Sequence, residues 1–162
     1  MVKSATTVKL GIDARPFLGP PSGTQRYVRE LVNQLHNNWP AADLSFYATS
    51  MENLSGLDFD ADLKLIRSGM PRSLRYFLSA PRLILQDGID LFWGGANFLP
   101  VGLPKRCKTV LTVHDVVSSL YPDTIGIKHR AAYRLFFKNS LARADRILTN
   151  SLGTARRLKE LY

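Results

Sequence analysis

Short apolar runs of strand length alternate with amphipathic stretches of helix length along the whole 162-residue chain. No other feature constrains the fold as tightly. A strand followed by a helix and then another strand packs as a parallel unit, because the helix must carry the chain back across the sheet. Six strands are read: Thr7–Asp13, Asp43–Ser50, Ala61–Ser68, Ile89–Gly95, Lys108–Asp115 and Asp145–Ser151. Runs such as "TVLTV" are apolar on both faces, as burial in a parallel sheet requires. Between them fall helices at Ser22–Asn38, Ser73–Gly88 and Ile127–Ala144, and a last one opens after Ser151. Pro81 is expected to kink or divide the second helix. The pattern predicts one α/β domain, a three-layer α/β/α sandwich around a mostly parallel sheet.

In such sheets ligands sit outside the carboxyl ends of the strands. The stretches that follow the strands therefore matter most. The first is "DARPFLGPPSGTQRY". Ser22 followed by Gln25 fits a capping box, and Gly23 lets a ligand approach the backbone of a helix N-terminus, which attracts anions. The stretch lacks G-K-[ST], and Gly11, Gly19 and Gly23 do not have G-x-G-x-x-G spacing, so neither a triphosphatase loop nor a dinucleotide fingerprint is present. The alternative is a tight turn with a helix cap.

"TVLTVHD" places His114 and Asp115 where a buried strand leaves the sheet. Such a histidine can donate to a sugar hydroxyl or act as acid or base, and Asp115 can accept from a hydroxyl or orient the ring. A histidine that merely caps the strand end is the alternative. In "FWGGANFLP", Gly94 and Gly95 make room for a ligand or for another backbone, and Asn97 offers both a donor and an acceptor. Phe92, Trp93 and Phe98 either stack on a sugar ring or fill the core. Ser151 reads as the N-cap of the last helix, beside Asn150.

The formal net charge of +9 is uneven: residues 1–125 carry 13 Lys/Arg against 11 Asp/Glu, and residues 126–162 carry 9 against 2. An anionic membrane surface, a phosphorylated ligand and nucleic acid all suit such a patch. Arg67, Arg72, Arg75 and Arg82 interleave with apolar residues, and so do Lys128, Arg130, Arg134, Lys138 and Arg143 on the helix from Ile127. These are either surface helices with a core stripe or helices that lie on anionic lipid. No apolar run approaches the ~20 residues of a membrane span. The first residues lack the apolar segment of a signal peptide. The single Cys107 has no disulfide or metal partner. A cytoplasmic setting is expected.

Taken in order, "KLGIDARPFLGPPSGTQRYVRELVNQL", "DLFWGGANFLPVGLPKRCKTVLTVHDVVSSLYPD" and "ARADRILTNSLGTARRLKE" resemble the N-terminal domain of glycosyltransferase family four enzymes, especially the mannosyltransferase-like ones. The resemblance is thinnest across residues 50–85. It implies a Rossmann-like domain, the acceptor-side half of a GT-B fold, with a C-terminal nucleotide-sugar-binding domain expected elsewhere. The E-x7-E motif of that second domain is not among these residues. The resemblance implies retaining transfer of a hexose, with mannose from GDP-mannose as the candidate, to a glycan or lipid-linked acceptor, with no cofactor or metal. Residue by residue, Gly23 and Arg15 correspond to the donor-phosphate side, and His114 and Asp115 to the catalytic positions. Asn97 and Ser151 are candidates on the acceptor side. The domain alone is expected to be inactive, and a peripheral position at the inner face of a membrane is expected.

Two other classes fit parts of the sequence. One is a non-catalytic binding module, flavodoxin- or response-regulator-like; a response regulator needs clustered acids at strand ends, whereas Asp13 is followed by Ala14 and Arg15. A nucleic-acid binder is motivated by the basic last quarter but lacks a recognisable reading motif.

Overall fold

The computed structural model describes residues 7–18, 20–50, 54, 56–121 and 127–162. Gly19 lies outside them, as do the side chains of Arg72, Lys128 and Ala131. Six strands form one sheet: β1 (Val8–Asp13), β2 (Ala42–Ala48), β3 (Asp62–Leu65), β4 (Leu91–Gly94), β5 (Lys108–Val113) and β6 (Arg146–Thr149). Their order is β3-β2-β1-β4-β5-β6, and every pairing is parallel. The helices are α1 (Gly23–Asn38), α2 (Arg72–Gln86), a single turn α3 (Val117–Leu120), α4 (Ile127–Arg143) and α5 (Leu152–Leu161). A 3₁₀ turn, Arg15–Phe17, follows β1. The expected α/β sandwich is therefore present, as a Rossmann-like sheet; α3 is an addition to the sequence reading. No helix among the described residues is long and apolar enough to cross a membrane.

The chain builds outward from β1 to β3, then returns to place β4 on the other side of β1. That reversal opens a crevice at the carboxyl ends of β1 and β4, the place where parallel sheets bind ligands. Alternate strand residues feed two cores. Leu10, Ile12, Phe46 and Trp93 meet Val28 and Val32 of α1 on one face. Tyr47, Phe92, Leu111 and Val113 meet Tyr76, Ile84, Phe137 and Leu158 on the other. Gly11 is glycine for packing, since a Cβ there would lie 2.8 Å from the Phe92 ring.

The second helix is not divided at Pro81: α2 runs through it. Proline has no N–H to give the carbonyl of Phe77 four residues earlier. That carbonyl instead accepts the N–H of Val101 at 2.8 Å. Arg143 is likewise not part of a solvated basic face. Its guanidinium binds the carbonyls of Leu103, Pro104 and Cys107 and pairs with Asp145 at 3.2 Å. It pins the β4–β5 connection to the end of α4.

The two sheet faces are covered unequally. Beside α1, Leu31, Leu35 and Trp39 face Leu91, Val110 and Leu148 across an apolar groove of about 230 Å³. On the edge strand β6, Ile147 and Leu148 are both exposed.

Candidate active site

Three chain segments meet at the carboxyl edge of the sheet: those leaving β1, β4 and β5. The segment after β1 ends in α1. Ser22 has the extended backbone of an N-cap, and its Oγ accepts the Gln25 N–H at 3.1 Å. The first intrahelical bond runs from Arg26 N–H to Ser22 O. Helix geometry thus leaves the N–H groups of Gly23 and Thr24 without helical partners, at the positive end of the helix dipole. Gly23 is exposed, and a Cβ added there would meet nothing within 4 Å. Packing does not require this glycine.

Arg15 is used differently from the sequence expectation. Its Nε lies 2.9 and 3.1 Å from the two Asp13 oxygens, its Nη2 donates to Oδ2 at 2.6 Å, and its backbone N–H adds a bond at 3.0 Å. Asp13 is fully buried, and the guanidinium lies 3.5 Å over the Tyr76 ring. Burial works against the Arg15 charge, but the Asp13 carboxylate outweighs it and raises the pKa above the ordinary arginine value. Burial, then Asp13, pushes the Tyr76 phenol up. A forked, neutralised arginine holds the β1 loop onto α2.

After β4, Gly94 and Gly95 turn out to accommodate the protein itself. A Cβ on Gly94 would lie 2.5 Å from the Phe98 carbonyl oxygen, and one on Gly95 would lie 2.7 Å from Val28. The aromatic residues fill the core. Phe92 and Trp93 are buried, Trp93 Nε1 donates to Thr112 Oγ1 at 3.0 Å, and Phe98 packs edge-on against Phe77, Tyr133 and Phe137. Asn97 adopts φ 62°, a left-handed conformation that asparagine tolerates better than most residues. Its N–H donates to Thr112 O at 3.0 Å, and its Oδ1 accepts the His114 N–H at 2.8 Å. The backbone N–H and the side-chain oxygen are thus spent on shaping the loop.

His114 stands where these segments join. Its Nε2 is 2.8 Å from Gly95 O, and its ring meets Tyr27 of α1 edge-to-face with centroids 5.0 Å apart. A carbonyl only accepts, so Nε2 carries the proton. In the tautomer this bond selects, Nδ1 is the acceptor. The ring is oriented by Gly95 and Tyr27 rather than by Asp115. Asp115 is exposed, and its Oδ1 accepts the Val117 N–H at 3.0 Å, which closes the turn into α3. Ser151 is the N-cap of α5: its Oγ accepts the Thr154 N–H at 3.0 Å. Thr154 Oγ1 in turn donates to the His114 carbonyl at 3.2 Å.

Gly23, Arg15, His114, Asp115, Asn97 and Ser151 therefore all lie on segments of one sheet edge. Among the described residues, Asn97 is the one member of that group bonded directly to His114; its other bonds go to Gly95 and Thr154. The partners of His114 that the sequence does not point to are Tyr27, Gly95 and Thr154. A faint sign existed for Thr154, which stands three residues after the cap serine. None existed for the Gly95 carbonyl, because a backbone group has no residue signature. The isolated acid–arginine pair at Asp13 is also unlike the acid cluster a phosphoryl-transfer receiver needs.

Residues 21–162 match the sequence family described as Glycosyltransferase Family 4. No curated protein matches the chain.

Proposed function

Because the chain belongs to glycosyltransferase family 4, we propose that it is the acceptor-side half of a retaining hexosyltransferase of GT-B architecture. Membership makes it a glycosyltransferase domain, with a sugar donor and an acceptor as its substrates. The finer reading is transfer of a hexose, mannose from GDP-mannose, to a glycan or lipid-linked acceptor in polysaccharide assembly at the inner face of a membrane. The observation that carries it is the convergence, on one sheet edge, of an exposed helix N-terminus at Gly23 and an oriented His114.

The chemistry follows from those groups. As the glycosidic bond to the diphosphate breaks, negative charge grows on the departing oxygens. The Gly23 and Thr24 N–H groups, aligned with the α1 dipole, stabilise it where they already point. His114 is held with Nε2–H on Gly95, so Nδ1 is free to accept from a sugar hydroxyl and fix the ring. Tyr27 restrains the imidazole from the α1 side. Arg15 serves by holding the loop that leads to α1, while Asn97 shapes the wall beside His114. Asp115 remains a candidate catalytic position beside His114, and Ser151 a candidate contact on the acceptor side.

This chain contributes one wall of such a site. Its glutamates, Glu30, Glu52 and Glu160, do not have E-x7-E spacing. The 162-residue chain is therefore expected to bind GDP-mannose weakly and not to turn it over. The test is NMR titration of the chain with GDP-mannose, together with a transfer assay. Shifts at the Gly23 and Thr24 amides and at the His114 ring are expected. Shifts absent from all three would overturn the site, and turnover by this chain would overturn the shared-site reading.

A further inference from the structure

A second pocket lies away from the β1–β4 crevice, between α3, α4 and α5. It has a volume of about 140 Å³ and is lined by Ser118, Ser119, Arg134, Lys138, Leu161 and Tyr162. That is too small for a nucleotide, since whole-ligand pockets run to roughly 300 Å³ and more. It suits a single charged group.

Apart from Leu161, its described lining is cationic or hydroxyl-bearing. Arg134 and Lys138 stand one turn apart on α4, hence on one helix face. Neither forms an ion pair among the described residues. Opposite them, the Ser119 and Tyr162 hydroxyl oxygens lie 2.7 Å apart, so one donates to the other and the second proton is available. Ser118 adds a third hydroxyl. Among the described residues, the carboxylates on the framing segments are engaged elsewhere: Asp115 with the Val117 N–H, and Glu160 with Arg157 at 2.9 Å. The Tyr133 hydroxyl is buried near Ser118 and Ser119 without a hydrogen bond of good geometry. Two cations without an ion pair and a ring of hydroxyl donors, with no acid among the described lining residues, suit a tetrahedral oxyanion. Arginine can take two of its oxygens, and lysine supplies a point charge.

We propose that this pocket is a phosphate subsite that receives the phosphate group of the acceptor. The proposal rests on the transferase reading for the word acceptor, and on the pocket alone for the word phosphate. The chain supports the link: α3 begins three residues after His114, so the pocket and the transfer site share the segment leaving β5. The phosphate group is the shared chemistry of a lipid headgroup and a soluble phosphorylated glycan.

The test uses the whole 162-residue chain at constant ionic strength. It is titrated with sodium phosphate and, separately, with dihexanoyl phosphatidic acid below its micelle concentration. Saturable NMR shifts are expected at Ser118, Ser119, Arg134, Lys138 and Tyr162. A response to both probes identifies the phosphate group itself as the ligand. A response to the lipid alone identifies a headgroup with its acyl stem. The pair Arg134→Gln and Lys138→Gln, both at exposed positions, is expected to weaken binding at least about tenfold, as loss of a charged hydrogen bond does. Ser119→Ala provides a second, milder variant. No saturable shift with either probe, or unchanged affinity in the double variant, overturns the proposal. GDP-mannose binding is read at Gly23 and Thr24, so failure there is distinguishable from failure here.

Discussion

Arg15 shows how a residue can be legible in type while its partner is not. Arginine after a strand invites a phosphate, yet here its fork closes on a fully buried carboxylate two residues back. Breaking a buried pair leaves the remaining charge uncompensated. Asp13→Asn is therefore expected to cost about 3 kcal/mol or more, read as a lowered urea midpoint with an unchanged slope. The glycines separate in the same way. Gly94→Ala meets the Phe98 carbonyl at 2.5 Å and should destabilise, whereas Gly23→Ala meets open space. Gly23→Ala should leave the urea midpoint within ~0.5 kcal/mol of wild type while weakening GDP-mannose binding; equal binding in both proteins would show that the glycine has no ligand to admit. Asp145 gives a pH signature. The hydroxyl and N–H of Thr109, more than they are opposed by burial, lower its pKa to about 2, with Arg143 and Lys108 adding to the effect. A carboxylate depressed in the fold stabilises above its unfolded value of about 3.9 and loses that contribution as pH falls toward the folded value. Between roughly pH 4 and 2, wild type should lose urea resistance more steeply than Asp145→Asn.

Among the elements, the six strands were readable because each is a short apolar run that ends in turn residues. The helices α1, α4 and α5 were readable from spacing and caps. Pro81 was not, because its effect depends on whether another donor reaches Phe77. Val101 does so from a loop twenty-four positions away in the chain. Pro81→Ala is thus expected to recover much less than the ~3 kcal/mol that a helix-interior proline costs, since the restored N–H competes for a carbonyl already bonded. A gain near the full value in urea denaturation would contradict this account. The single turn α3 escaped notice for a related reason. It is set by the Asp115 carboxylate on the Val117 N–H and by contact with α4, not by an apolar period of its own.

For the whole molecule, the parallel order follows from alternation, but the uneven covering of the sheet does not. Leu111 sits in the covered core and Leu148 on the open groove, 43% exposed. Leu111→Ala should cost about 2–5 kcal/mol and Leu148→Ala distinctly less, in the same urea experiment. The basic last quarter also divides once folded. Arg143 is absorbed into carbonyl bonds, while Arg134 and Lys138 stay exposed beside hydroxyl groups. The sequence by itself determined the alternation, the parallel α/β class, the helix caps at Ser22 and Ser151, and the sheet edge on which chemistry is placed. Those are properties of neighbours in the chain. The tertiary structure alone decided that Gly95 orients His114, that Asp13 claims Arg15, and which cations remain unpaired. Each of those depends on groups brought together from distant segments or on backbone carbonyls, and neither leaves a pattern in a one-dimensional sequence.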